Sequence, residues 1–159
     1  MAQRFLIVAV LVVVLFGAAV SLAGATRPEA SVDGENGDDR LWGGSGIDQI
    51  RGRAGDDTLN GGGAPDGLFG NAGADRLYTG GVGGTAQGGP GEDYLFGGYG
   101  LDRLDGGPGA DEISGAAGDD RLEGGGGTDV LNGGEGDDSL FGELGQDSLR
   151  ALATTSSTP

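Results

Sequence analysis

The sequence predicts an all-β fold, a parallel β-coil wound from short units with two units to each turn. Three observations predict it. From Gly34 to Arg150 the chain runs in thirteen consecutive nine-residue units without insertion or deletion, 117 of its 159 residues. All but one of these units carry a large aliphatic residue, Leu or Ile, at the eighth position. Glycines recur at the first, second and fourth positions and an aspartate at the sixth. A fixed period of this kind marks a repeat architecture, in which each unit buries its apolar side only against its neighbours.

The chain opens on a segment outside the repeats. Met1 to Arg4 supplies one positive charge, Phe5 to Val20 is almost continuously apolar, and Ala23-Gly24-Ala25 is a small-x-small sequence. This is the pattern of a secretory signal peptide over residues 1–25, a helical segment cut after Ala25. The alternative is a retained anchor, since Phe5 to Ala25 is long enough to cross a bilayer. The remainder is then expected to be secreted into the extracellular space, or displayed on the cell surface if the segment stays. Thr26 to Asp33 (TRPEASVD) follows as a short polar linker carrying Pro28.

The repeats occupy residues 34–150. GGPGEDYLF and GGYGLDRLD, which together span Gly88 to Asp105, show the pattern at its clearest. TGGVGGTAQ (79–87) keeps the length but places Gly84 at the aspartate position and Ala86 at the apolar one. One aliphatic residue in nine fits neither the helical period nor a long alternating strand. It fits a three-residue strand whose middle side chain points inward, joined to the next by a turn rich in the glycines that positive backbone angles require. Two units per turn stack each strand on the strand eighteen residues later. The product is a flattened coil of two facing parallel sheets, roughly 30 Å long at about 4.8 Å per strand. The inward residues are Leu41, Ile50, Leu59, Leu68, Leu77, Leu95, Leu104, Ile113, Leu122, Leu131, Leu140 and Leu149. Residues 151–159 (ALATTSSTP) form a flexible tail.

Composition narrows the chemistry. Removing residues 1–25 takes away Arg4 and no acid, so 25 carboxylates face 8 arginines at a net charge of −17. Such a chain repels nucleic acid and anionic membrane surfaces and attracts multivalent cations. There is no Cys and no His, which removes disulfides, zinc sites built on thiolate or imidazole, and Ser-His or Cys-His catalysis. No enzymatic activity is expected.

The cation sites follow from the winding. Asp39, Asp57, Asp75, Asp93, Asp111, Asp129 and Asp147 fall on one edge of the coil, and Asp48, Asp66, Asp102, Asp120 and Asp138 on the other. One large aliphatic residue per nine is too little apolar surface to offset the entropy of ordering so many glycines. Carboxylates stacked at about 4.8 Å add repulsion of roughly 1 kcal/mol per pair even in water. A cation between successive turns would relieve both problems. It would find carboxylates from two units and backbone carbonyls that glycine leaves accessible, an all-oxygen shell on a flexible backbone that suits Ca2+ better than Mg2+.

The units resemble the nonapeptide GGxGxDxUx of the RTX, or haemolysin-type, calcium-binding repeats. The resemblance implies that the first six residues of each unit form a calcium-binding turn and the last three a strand, wound into a parallel β-roll, a right-handed β-solenoid. It implies the twelve sixth-position aspartates as metal ligands and, with Gly84 opening two gaps of the second edge, about nine full calcium sites. Asp93 is expected to have full sites on both sides, Asp102 only toward Asp120. Ala64-Pro65 departs from the pattern before Asp66, and Glu35, Arg53, Asn71, Ala116 and Glu143 replace the second glycine. That replacement suits a backbone position that is not strictly left-handed.

Other features have plainer readings. The adjacent acids Asp38-Asp39, Asp56-Asp57, Glu92-Asp93, Asp119-Asp120 and Asp137-Asp138 recur at the same two positions, as turn residues would, rather than as acid-base pairs of the glycosidase type. Trp42, Phe69, Tyr78, Phe96 and Phe141 share the ninth position and read as outward aromatics. They leave cell-surface polysaccharide or protein as candidate partners of an adhesive, calcium-stabilised roll. Arg40, Arg76, Arg103 and Arg121 read as solvated outward charges.

Overall fold

The computed structural model describes residues 13–15, 18–22 and 29–152. Sixteen strands occupy them: β1 (Val13–Leu15), β2 (Ala18–Leu22), β3 (Glu29–Asp33), β4 (Arg40–Gly44), β5 (Ile47–Ala54), β6 (Thr58–Gly62), β7 (Gly67–Ala72) and β8 (Arg76–Gly80). Then come β9 (Gly84–Gln87), β10 (Tyr94–Tyr99), β11 (Asp102–Pro108), β12 (Glu112–Ala117), β13 (Arg121–Gly127), β14 (Val130–Glu135), β15 (Ser139–Gly145) and β16 (Ser148–Leu152). Among the described residues no helix is long and apolar enough to cross a membrane.

The strands divide by parity, as two units per turn require. The even strands from β2 to β16 stack in parallel in one sheet, with β1 antiparallel beside β2, and the odd strands from β3 to β15 form a parallel seven-stranded sheet. Every neighbour in the repeat region lies eighteen residues away, so like positions meet: Leu41 opposite Leu59, Ile50 opposite Leu68, Leu95 opposite Ile113. The fold is the expected all-β parallel solenoid.

The strands are longer than the expected three residues because in-out alternation begins at the sixth position and runs to the first of the next unit. Arg40 to Gly44 alternates exposed, buried, exposed, buried before the turn. Three rows therefore face inward: aspartates, aliphatic residues and first-position glycines. The aliphatic row from Leu41 to Leu131 is at most 1% exposed at its Leu and Ile positions, and Ala86 continues it. Leu140 is half-buried and Leu149 is 47% exposed. Leu149 was expected inside; it lies on the last described strand, where among the described residues no further turn covers it.

The expected signal segment over residues 1–25 lies for the most part outside the described residues; within it Val13–Leu15 and Ala18–Leu22 are β1 and β2. β2 pairs with β4, Ser21 opposite Leu41, and so completes the backbone hydrogen bonds of an edge that β4 would otherwise leave open. The linker also contributes a strand: Glu29–Asp33 pairs with β5, and buried Val32 sits opposite Ile50. Val32 holds the inward position one unit ahead of Leu41, so the coil starts before the pattern becomes legible. At the other end the expected tail contributes Ala151 and Leu152 to β16, and residues 153–159 lie outside the described residues.

The second-glycine position proves left-handed. Gly44, Gly62, Gly80 and Gly98 have φ between 108° and 127°, and four of the replacements hold the same region: Arg53 at 91°, Asn71 at 75°, Ala116 at 78° and Glu143 at 68°. The turn thus imposes this conformation on side chains that disfavour it, at about 1 kcal/mol each.

Candidate metal centre

Each aspartate row is built by the alternation just described. The sixth residue points inward one step before the aliphatic residue, and its carboxylate folds back under its own turn toward the first-position glycine. Asp39, Asp48, Asp57, Asp66, Asp75, Asp93, Asp102, Asp111, Asp120 and Asp129 are none more than 3% exposed, whereas Asp138 and Asp147 at the last turns are half-buried. All twelve stand in the two rows assigned from the winding, just before or at the start of even and odd strands respectively. Ala64-Pro65 does not displace Asp66, whose Oδ1 accepts the Asp48 N–H at 2.8 Å.

The two carboxylate oxygens have different surroundings. Oδ1 accepts the backbone N–H of the aspartate one turn earlier, as Asp57 does from Asp39 at 2.7 Å, Asp93 from Asp75 at 2.8 Å and Asp120 from Asp102 at 2.9 Å. Nine such bonds join aspartates of successive turns, six on one edge and three on the other. Oδ2 has no hydrogen-bond donor in Asp57, Asp66, Asp75, Asp93, Asp102, Asp111, Asp120, Asp129 or Asp138, although it is buried. A buried anionic oxygen without a donor is costly and calls for a proton or a cation. Burial pushes the carboxyls of Asp57, Asp66, Asp75, Asp102 and Asp111 up to about 6 and that of Asp93 to about 7, and raises Asp120 as well.

What the orphan oxygens face is the space that a first-position side chain would fill. A Cβ built on Gly97 would lie 2.7 Å from Asp102 Oδ2 and 2.6 Å from the Gly115 carbonyl oxygen of the next turn. The same pairing of a carboxylate oxygen with a carbonyl one turn on recurs at Gly52, Gly70, Gly88, Gly106, Gly115 and Gly124. Among the described residues no three acidic side chains converge on one point, so a cation between turns would draw on one or two carboxylates and on carbonyls. Hard oxygen donors of mixed kind, with no nitrogen or sulfur among them, fit Ca2+.

The adjacent acids part company. Asp38, Asp56 and Asp119 are exposed, and each reaches forward: Asp38 Oδ1 accepts the Asp56 N–H at 3.0 Å, Asp56 Oδ1 the Ala74 N–H at 2.8 Å, Asp119 Oδ1 the Asp137 N–H at 2.9 Å. The buried partners Asp57 and Asp120 reach back one turn instead, whereas Asp39 Oδ2 accepts the Glu35 N–H of its own turn at 2.8 Å. This stitching by the fifth position was not foreseen from sequence; its signal was the recurrence of a second acid beside the first.

The profile of the RTX calcium-binding nonapeptide repeat (4 copies) matches residues 33–68, 66–85, 79–113, 87–122 and 114–149. The chain belongs to the RTX calcium-binding repeat family. Its matched span, 33–149, lies within the described coil, and the family is one of calcium-binding repeats. Comparison with curated proteins and with solved structures returned no match.

The RTX unit at Thr79 to Gln87 departs from the others in a way sequence reasoning passed over. Thr79 stands where each of the other twelve units has glycine. It is fully buried, and its Oγ1 donates to the Gly97 carbonyl and lies 2.8 Å from Asp102 Oδ1. Of the two gaps that Gly84 was expected to open, the one toward Asp102 holds this side chain.

Proposed function

We propose that this RTX chain is a secreted calcium-binding roll that orders when Ca2+ enters between its turns. The observation that carries the proposal is the row of buried Oδ2 atoms without donors, all but that of Asp138 beside a carbonyl of the following turn. The twelve sixth-position aspartates are the ligands, with about nine ions in the nine gaps that join two aspartates. When bound, the ions supply positive charge to these gaps. The chain itself supplies Oδ2, the first-position carbonyl and the side-chain-free space, while Oδ1 remains on the backbone N–H that holds the carboxylate in place. Isothermal titration calorimetry with Ca2+ and with Mg2+ tests it: several ions of Ca2+ per chain and weaker uptake of Mg2+ are expected, and equal weak binding of both would refute it.

A second reading has its own observation. Tyr78 lies 6.0 Å from Tyr94 and 6.4 Å from Phe96 between ring centres on the outer face of the even sheet, and Trp42 is 38% exposed on the same face. An outward aromatic cluster on a cation-stiffened sheet suits a role as a surface or matrix adhesin, with sugar rings packing against it. Pull-down on cell-wall polysaccharide with and without calcium tests that role, and calcium-independent or absent retention argues against it.

A further inference from the structure

We propose that Thr79 is a built-in substitute for a cation, closing its turn without metal and dividing the second aspartate row into two separate binding segments. This rests on the calcium reading of the other turns. In those turns the first position is glycine, and from Gly34 to Gly124 the space above its Cα is bordered by the aspartate Oδ2 of the same unit and a carbonyl of the next turn. In the unit at residues 79–87 two changes occur together: the glycine has become Thr79 and the aspartate has become Gly84.

The two changes are complementary in volume. The threonine side chain enters the space that the missing carboxylate and its cation would share, and it is 0% exposed there. The backbone closes in behind it: a Cβ on Gly84 would lie 2.8 Å from the Asp66 carbonyl oxygen and 3.2 Å from the Thr79 Cβ. An aspartate at 84 and a threonine at 79 would compete for one space.

They are also complementary in chemistry. The hydroxyl reaches the Gly97 carbonyl and Asp102 Oδ1, both one turn on, which are the kinds of oxygen a cation between turns would draw together. A hydroxyl proton is a small positive end placed between two acceptors, and it needs no ion. The neighbouring strands keep the register of the coil through it, with Leu104 opposite Ala86 and Leu68 opposite Ala86. Asp48–Asp66 is then one segment, and Asp102–Asp120–Asp138 is another. The first row, from Asp39 to Asp147, stays continuous.

The test is a count of bound ions by native mass spectrometry on the full chain, with Thr79→Gly, Gly84→Asp and the double variant. The double variant restores the repeat pattern and is expected to carry two more Ca2+ than the wild type, one on each side of the restored aspartate. Gly84→Asp alone is expected to gain none. A double variant with the wild-type circular dichroism in calcium but no additional ions overturns the proposal, as does a Gly84→Asp variant that gains both. Thr79→Val, which keeps the shape and removes the proton, decides the matter should the double variant not fold. It is expected to keep the wild-type ion count and to melt about 5 °C lower in saturating calcium; an unchanged melting temperature overturns the substitution of hydroxyl for cation. A wild-type chain that takes up no Ca2+ overturns this proposal together with the calcium reading. Uptake by the wild type with no gain in the double variant overturns this one alone.

Discussion

Asp93→Asn should act with opposite sign in the presence and absence of calcium. Asp93 is 3% exposed, its Oδ1 accepts the Asp75 N–H at 2.8 Å, and its Oδ2 has no donor. Burial, with the charges of Asp75 and Asp111 adding to it, holds this carboxyl at about 7 rather than 3.8. Carrying its charge above that pH therefore costs the cation-free roll about 4 kcal/mol. Asparagine keeps the Oδ1 acceptor, removes the charge, and turns an amide N–H2 toward the side that the Gly106 carbonyl borders. In chelator at pH 8, with sucrose present to favour compact states, the variant should be at least as ordered as the wild type by far-UV circular dichroism. In saturating calcium the gaps toward Asp75 and Asp111 each lose a charged ligand. The variant should then bind two fewer ions and melt at least about 10 °C lower. A variant less ordered than the wild type in chelator, or unchanged in calcium, would refute the view that these carboxylates are tolerated only for their cation.

Further outcomes follow from the same geometry. Because burial raises the folded-state values of Asp57, Asp66, Asp75, Asp102 and Asp111 to about 6 and Asp93 to about 7, the folded chain binds protons more tightly than the unfolded one. Without calcium, this contribution to stability is fully present below pH 3.8 and is lost as pH rises through 6 to 7. A chelated sample should thus show more β-structure at pH 4.5 than at pH 8, and calcium affinity should fall on acidification in a pH-dependent titration. Gly97→Ala would place a Cβ 2.7 Å from Asp102 Oδ2 and 2.6 Å from the Gly115 carbonyl; native mass spectrometry should show one fewer ion. Ala116→Gly relieves a left-handed alanine at φ 78° and should raise the melting temperature in calcium by about 4 °C.

The repeat period made most of the fold legible before any coordinate. Period and winding together placed Leu41 to Leu131 inside and sorted the twelve aspartates onto two edges, because a strict repeat forces equivalent residues into equivalent places. The ends were less legible. Val32 buries at an inward position inside a segment that lacks both the glycines and the aspartate of the pattern, so a motif defined by its turn could not find it. Leu149 satisfies the motif yet is exposed, since burial depends on the next turn rather than on the residue. Within the turns, the motif hid the side-chain arrangement. The left-handed second position at Arg53 and Ala116 is a property of the wound backbone that local propensity argues against. Thr79 was readable as a departure, but its meaning required knowing that the first-position glycine and the sixth-position aspartate share one space.

Whether order depends on calcium is measured most directly by far-UV circular dichroism of the chain titrated with Ca2+ from chelator to millimolar concentration. A coil spectrum that converts cooperatively to a β-spectrum, and returns to coil when chelator is restored, is expected. A spectrum that stays coil at millimolar calcium, or that is already fully β in chelator at neutral pH, would contradict it.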